Sequence, residues 1–323
     1  MTDLAERLLA AYAINDRRAL AALYHAKARQ YGPLHWPRQG REEILAGVAE
    51  AHRRFPAFRV DLHDVFASAD GERVVLRWVQ RWPANGSNTE AGTSSEMRVL
   101  TIREGRIAQE VLGYVTLEVP RLAVTGWRED GPVDTPDPNP AVVSARIGEP
   151  SPQPQETIAQ RWVTSFGSRD LAAFVDLYQD DFAFYSPAGW GVRGKDVLPQ
   201  FADGFHEAFP GLRVSLTDEF ASADGTRVSF RFVIDWRNTG SYFGQPASGR
   251  RGTQVEQHTM KLRDGRVVEQ VVSDVSLGIP RLQFTAWDME LPTHTPDPAP
   301  VIASAGPRRA RTRLGSGSTE MLG

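Results

Sequence analysis

Apolar residues recur over the first 24 positions at Leu4, Leu8, Leu9, Tyr12, Ala13, Leu20 and Leu23. That spacing gathers them on one helical face, and Asn15-Asp16 predicts a break into two helices. Gln30 to Pro33 reads as a short strand. Arg41 to Phe55 predicts another helix, with Ile44, Val48 and Ala51 on one face and Pro56 ending it. The period then changes to two. Arg59 to Phe66, Val74 to Trp82 and Glu96 to Arg103 each alternate, and Glu104-Gly105 predicts a hairpin into a further strand. In Val74–Trp82, Val74, Leu76, Trp78 and Trp82 face one way, and Arg77 and Arg81 the other.

The same order runs a second time. Ala159 to Tyr178 is again a helical start. Tyr185-Ser186-Pro187 answers Tyr31-Gly32-Pro33, Phe209-Pro210 answers Phe55-Pro56, and Trp190 and Trp236 answer Trp36 and Trp82. Ala-Ser-Ala-Asp-Gly at 221–225 repeats 67–71, an offset of 154 residues (221 against 67). The offset becomes 160 (274 against 114), because the Arg237–Val255 loop is longer than its counterpart. The most extended match is Arg263–Trp287 with Arg103–Trp127, and within it Asp274 stands where the first copy has Tyr114. Thr295-Pro296-Asp297-Pro298 matches Thr135-Pro136-Asp137-Pro138, so the proline-rich end belongs to the repeating unit.

The chain therefore divides into a domain at 1–135, a proline-rich extended connector at 136–154, a second domain at 155–300, and a Gly/Ser/Arg-rich tail at 301–323 expected to be disordered. Each domain reads as helices followed by antiparallel strands, an α+β unit whose curved sheet wraps about three helices.

Composition narrows the function classes. A net charge of −3 gives no electrostatic case for nucleic acid or an anionic membrane. No apolar run approaches a membrane span, and the N-terminus opens into an amphipathic helix without a signal-peptide pattern, so a cytoplasmic location is expected. The absence of cysteine excludes disulfides, thiolate nucleophiles and cysteine metal sites. There is no GxGxxG, P-loop, GxSxG or HExxH motif, and the 7 histidines lack ligand spacing. No metal and no cofactor is expected. His63, Asp64, His25 and His35 read as surface residues.

Four stretches of the second copy carry a family likeness: Tyr185-Ser186-Pro187 through Val192-Arg193-Gly194-Lys195; Phe209-Pro210-Gly211-Leu212-Arg213-Val214; Tyr242-Phe243-Gly244-Gln245-Pro246 with Ser248-Gly249-Arg250; and Gln257-His258 through Asp264-Gly265-Arg266 to Glu269 and Asp274. In order and spacing they resemble the SnoaL-like polyketide cyclase (ester cyclase) family, within the ketosteroid-isomerase-like cone superfamily. The first copy resembles it more weakly. It lacks the Phe-Gly-x-Pro loop and carries Tyr114 at the acidic position.

The resemblance implies two tandem cone-shaped domains and a cofactor-free general acid/base at Asp274, with His258 as its pocket partner. The implied reaction is intramolecular aldol closure or isomerisation of a polyketide-like, apolar carbonyl substrate. One carboxyl serves such a reaction if an apolar pocket raises its pKa. Val271, Val272 and Val275 flank Asp274, and a regular strand would place Val268, Gln270, Val272 and Asp274 on one face. From the residues alone, an exposed strand-end aspartate that pairs with an arginine is the favoured reading of Asp274. A lone strand histidine is more often a packed, hydrogen-bonded residue than a catalyst.

Phe230, Phe232, Ile234 and Trp236 share a strand face that reads as core first and pocket wall second, with Arg231 and Asp235 opposite. Tyr178, Phe184, Tyr185 and Trp190 are candidate walls of the pocket mouth, and Phe243, Glu256 and Gln270 complete the candidate substrate-binding set. Glu256 has a counterpart in Glu96, so a structural role shared by both halves fits it better. Two rivals remain. One is an epoxide hydrolase or epoxide-opening cyclase drawing on Asp235, Arg231 or Asp218. The other is a non-catalytic binding or scaffold protein. The two copies are expected to pair sheet on sheet as an intramolecular pseudo-dimer, or the chain to form a homo-oligomer.

Overall fold

The computed structural model describes residues 2–33, 35–84, 91–116, 143–148, 157–187, 189–242 and 244–284. The predicted tail, most of the connector and Phe243 lie outside these residues.

The first half runs α1 (Thr2–Ala13), α2 (Arg17–Leu23), β1 (Tyr24–Gly32), β2 (His35–Gln39), α3 (Arg41–Arg54), β3 (Arg59–Ala67), β4 (Arg73–Trp82), β5 (Gly92–Arg103) and β6 (Arg106–Tyr114). The helix break falls where Asn15-Asp16 predicted it. Asn15 adopts φ 52°, and the Asp16 carboxylate caps α2 by accepting from the Ala19 amide at 3.0 Å.

β7 (Val143–Arg146) follows, within the stretch read as a connector, and pairs antiparallel with the second half's β10. The second half runs α4 (Ile158–Ser168), α5 (Leu171–Asp176), β8 (Tyr178–Ser186), β9 (Gly189–Arg193), α6 (Leu198–Ala208), β10 (Arg213–Ala221), β11 (Arg227–Arg237), β12 (Arg251–Arg263), β13 (Arg266–Asp274) and α7 (Gly278–Phe284).

In each half four strands pair antiparallel in sequence order, β3-β4-β5-β6 and β10-β11-β12-β13. The strand that follows the first helix pair departs from the antiparallel expectation. β1 lies parallel to β6, and β8 parallel to β13. The rest of each unit lies between such partners in sequence, and that length of chain allows a parallel return. A bulge interrupts the β3–β4 and β10–β11 pairs at matched places, between Leu62 and Asp64 and between Leu216 and Asp218, bending the sheet around its helices. The turns Glu104-Gly105 and Asp264-Gly265 have both residues at positive φ, as a tight two-residue hairpin requires.

Helices cover the concave face of each sheet. Leu8, Leu20, Ile44, Leu76, Trp78 and Leu100 form the first core. Trp162, Phe166, Phe174, Phe209, Phe230 and Phe232 form the second. A third cluster joins Val75, Met97, Val99 and Val111 of the first half with Val255, Val271 and Val275 of the second, so the opposite faces of the two sheets meet.

Contacts between the halves come in matched pairs. Arg73 donates to Asp218 at 2.6 Å, and Arg227, 154 positions on, donates to Asp64, 154 positions before Asp218. Phe66 meets its counterpart Phe220 at 6.2 Å between ring centroids, and Ser68 bridges its counterpart Ser222. Tyr114 of β6 pairs with Asp274 of β13. Asp64, read as a surface residue, is thus an interface ion. The charged side chains on the outer face of each sheet need counter-ions once that face is covered, and the other copy supplies them.

Candidate active site

The strand ladder of the second half sets one row of side chains on the concave face. Glu256 lies opposite Asp274, His258 opposite Val272 and Met260 opposite Gln270 on the β12–β13 pair. Across β11, Phe232 lies opposite Glu256, Phe230 opposite His258 and Ile234 opposite Gln254. Alternation along each strand therefore converges two carboxyls, an imidazole and two carboxamides on an aromatic interior.

Asp274 is buried. Burial first, and the neighbouring Glu256 charge second, push its carboxyl well above the ordinary carboxylate range. One bond works against this: Gln254 Nε2 donates to Asp274 Oδ1 at 2.7 Å, which favours the charged form.

His258 is boxed by Trp162, Phe230 and Phe232, with ring centroids 5.1, 5.1 and 4.7 Å away. Burial holds its pKa below the ordinary value, against the pull of Glu256, so the ring is neutral near pH 7. A directed chain of hydrogen bonds sets its tautomer. Trp162 Nε1–H donates to Tyr178 Oη at 2.8 Å, and Tyr178 donates to Gln270 Oε1 at 2.6 Å. Gln270 Nε2 then donates to His258 Nδ1 at 2.8 Å, leaving His258 Nε2–H to donate to Glu256 Oε2 at 3.1 Å. The chain starts from an indole, which can only donate, and ends on a carboxylate oxygen, which accepts. Tyr242, in the long loop after β11, completes the set. Burial and the charges of Asp274 and Glu256 push its phenol well up, so it keeps its proton.

The structure brings together Asp274, His258, Glu256, Gln270, Tyr178, Phe232 and Trp236 within or facing one core. Several expectations need correcting. Val271 and Val275 lie in the cluster between the halves, so only Val272 of the three valines shares the Asp274 face. A bulge between Lys261 and Leu262 leaves Val268 without a partner, turning Val267 inward with Gln270 instead. Tyr185 packs against the inter-half cluster and does not line a mouth. Tyr178 is fully buried inside the hydrogen-bond chain, while Phe184 packs at the edge of the second core. The side chains of Trp190 and Phe243 lie outside the described residues. Arg231 and Asp218 sit 3.5 Å apart, with Arg73 of the first half on the same carboxylate. Two parts of the epoxide-opening alternative, Arg231 and Asp218, are thus committed to the interface, while Asp235 is exposed on β11.

Gln254, Trp162 and Tyr242 were missed. Gln254 had a legible signal, since it continues the Glu256–His258–Met260 alternation. Tyr242 lay in a quoted stretch. Trp162 had no signal, because only the packing of α4 brings it to Tyr178.

The first half holds a different cluster at the same positions. Arg98 stands for His258, Glu110 for Gln270 and Tyr114 for Asp274. Arg98 donates to Glu96 Oε2 through Nη2 at 2.7 Å and to Glu110 through Nη1, and lies 4.1 Å from the Trp78 ring centroid. Trp78 Nε1 donates to Glu96 at 2.8 Å, and Tyr24 Oη and Gln30 Nε2 each donate to Glu110 at 2.7 Å. Every charge here is paired and buried. Among the described residues, no group of three or more His, Asp or Glu is placed to hold a metal ion. No described helix is long and apolar enough to cross a membrane.

The profile of the SnoaL-like domain matches this chain twice, over residues 5–110 and 159–270, together more than half its length. The chain belongs to the SnoaL-like domain family. Solved SnoaL-like and related structures are similar to one half at a time. A proposed polyketide cyclase of Sinorhizobium meliloti is 22% identical, with 34% of this chain and 93% of that chain covered at a TM-score of 0.28. A proposed hydroxylase of Streptomyces galilaeus is 20% identical, with 41% and 82% covered at 0.35. IdmH, a proposed polyketide cyclase of Streptomyces antibioticus, is 19% identical, with 35% and 90% covered at 0.32. A search of curated proteins finds no significant match.

Proposed function

We propose that the second SnoaL-like half is a cofactor-free acid/base site for an apolar, polyketide-like carbonyl substrate, catalysing an intramolecular aldol closure or an isomerisation. The observation that carries this reading is the buried Asp274 carboxyl opposite Glu256, its pKa pushed well above the ordinary carboxylate range by burial and by the adjacent charge. In such a reaction Asp274 gives its proton to the carbonyl oxygen as the new carbon–carbon bond forms. A proton from the activated carbon restores the carboxyl. No atom is lost, so product and substrate are isomers. Neutral His258 holds Glu256 in place, and the aromatic residues supply a dry wall. The Tyr242 hydroxyl is a donor for the developing oxyanion.

In this reading the first half does not turn over. Its equivalent interior is closed by the Arg98 ion cluster, and it serves as an internal partner related to the second half by a pseudo-two-fold. A compact one-chain particle in solution scattering supports that arrangement, and two separated beads would refute it.

The test removes the gene from its host and compares small-molecule masses before and after rescue. The accumulated compound is expected to have the mass of the lost product, with rescue by wild type and not by Asp274→Asn. Equal rescue by both proteins sinks the assignment of Asp274.

A further inference from the structure

We propose that Gln254 is a positioning residue for Asp274, and that helix α7 holds it in register by docking on β12. This rests on the reading of Asp274 as the proton-transfer group.

Gln254 is fully buried, and both ends of its carboxamide are committed. Its Oε1 accepts from the Ile279 backbone N–H at 3.1 Å and from Ser276 Oγ at 3.3 Å. A backbone amide can only donate, so this contact fixes which end of the carboxamide is oxygen and turns Nε2 toward Asp274 Oδ1. With Oδ1 held, Oδ2 is the oxygen left for a reacting proton. Ile279 lies in the first turn of α7, where backbone N–H groups have no partner within the helix. One side chain therefore caps the helix and aims the carboxyl.

The helix reaches this place because residue 278 is glycine. A Cβ at Gly278 would stand 2.0 Å from the Thr253 carbonyl oxygen and 3.2 Å from Gln254 Oε1. Backbone cannot yield by that amount, so any side chain here lifts the start of α7 away from Gln254. The first half supplies an internal comparison at an offset of 160. There Gln254 is replaced by Ser94, Gly278 by Glu118 and Asp274 by Tyr114. The carboxyl, the residue that holds it and the glycine that admits the helix are all absent from the same half. Among the described residues, the titratable groups set against Asp274 are Glu256 of β12, with His258 behind it, Tyr242 of the loop after β11, and Tyr114 of β6, its partner across the strand ladder.

The test follows the Asp274 carboxyl directly, in the full chain carrying carboxyl-¹³C aspartate, with its signal assigned by loss in Asp274→Asn. Gln254→Met removes the donor and is expected to move the Asp274 titration upward by about one pH unit, a tenfold rise in proton affinity. Gly278→Ala is expected to shift it in the same direction. In the double variant the two shifts should not add, because both act through one carboxamide. Gln254→Asn, which shortens the arm, is the substitute if the methionine variant does not fold. An unmoved titration in the Gln254 variant overturns the proposal, as does a full additional shift from Gly278→Ala. A wild-type Asp274 that titrates at the ordinary carboxylate value would instead refute the acid/base reading itself. The two failures are therefore separable.

Discussion

Replacing Arg98 with methionine removes the cation between Glu96 and Glu110 while keeping an unbranched apolar stem. Glu96 is 3% exposed and Glu110 is 0% exposed, so water cannot replace the lost charge. Each carboxylate must then stay charged without its counter-ion or take up a proton. Protonating a glutamate costs about 1.4 kcal/mol for each pH unit above roughly 4.3, hence about 3.7 kcal/mol per carboxylate at pH 7. Trp78, Tyr24 and Gln30 still donate to the two groups and offset part of that. A loss of about 3–5 kcal/mol at pH 7 is expected, the usual result of breaking a buried pair from one side.

The sign with pH follows from the same step. The folded variant binds more protons than its unfolded chain, so its stability rises as pH falls. At pH 5 the cost of each proton is about 1 kcal/mol, and most of the loss should disappear. Urea unfolding of wild type and variant at pH 7 and pH 5 measures both quantities. A triple variant with Glu96→Gln and Glu110→Gln should recover much of the stability at pH 7. A loss below about 1 kcal/mol at pH 7, or the same loss at both pH values, refutes the reasoning.

Other expectations follow from the same interior. The raised Asp274 pKa means the folded state favours the neutral carboxyl: that stability is complete below the unfolded value, near 3.9, and is lost as pH rises through the folded one. Asp274→Asn should therefore be more stabilising at pH 8 than at pH 5, by up to about 1.4 kcal/mol per pH unit; equal differences in melting temperature at the two pH values count against it. His206 accepts no such change cheaply: burial lowers its pKa, and its Nε2 lies 2.6 Å from the Phe166 carbonyl. Its contribution is present above about pH 6.5 and lost as pH falls through the depressed folded value, so His206→Gln should flatten the decline of melting temperature on acidification. At the interface, Arg73→Met and Asp218→Asn should show a coupling energy of about 1 kcal/mol in a double-mutant cycle, since Asp218 keeps Arg231 when Arg73 is removed; strict additivity would show that the halves do not meet there.

The repeat, the helix break at Asn15-Asp16, the hairpins at Glu104-Gly105 and Asp264-Gly265, and the α+β order of each half were legible because each depends on local spacing or backbone conformation. So was the shared row of Glu256, His258 and Met260, since side chains alternate along any regular strand. The tertiary structure decided what alternation cannot. A bulge exchanges Val267 for Val268 on the inner face, and sequence period cannot reveal where a strand gains an unpaired residue. The covered outer face turns Asp64, Tyr185, Val271 and Val275 toward the other copy, a choice made by the packing of two sheets that repeat at an offset of 154 to 160 positions. Trp162 and Ile279 act through contacts made when helices dock, and the Arg98 cluster through ion pairs and hydrogen bonds across strands β1, β4, β5 and β6. The proton balance of Asp274 is set by burial and by Glu256 across the ladder, and neither is a property of the residues beside it in the chain.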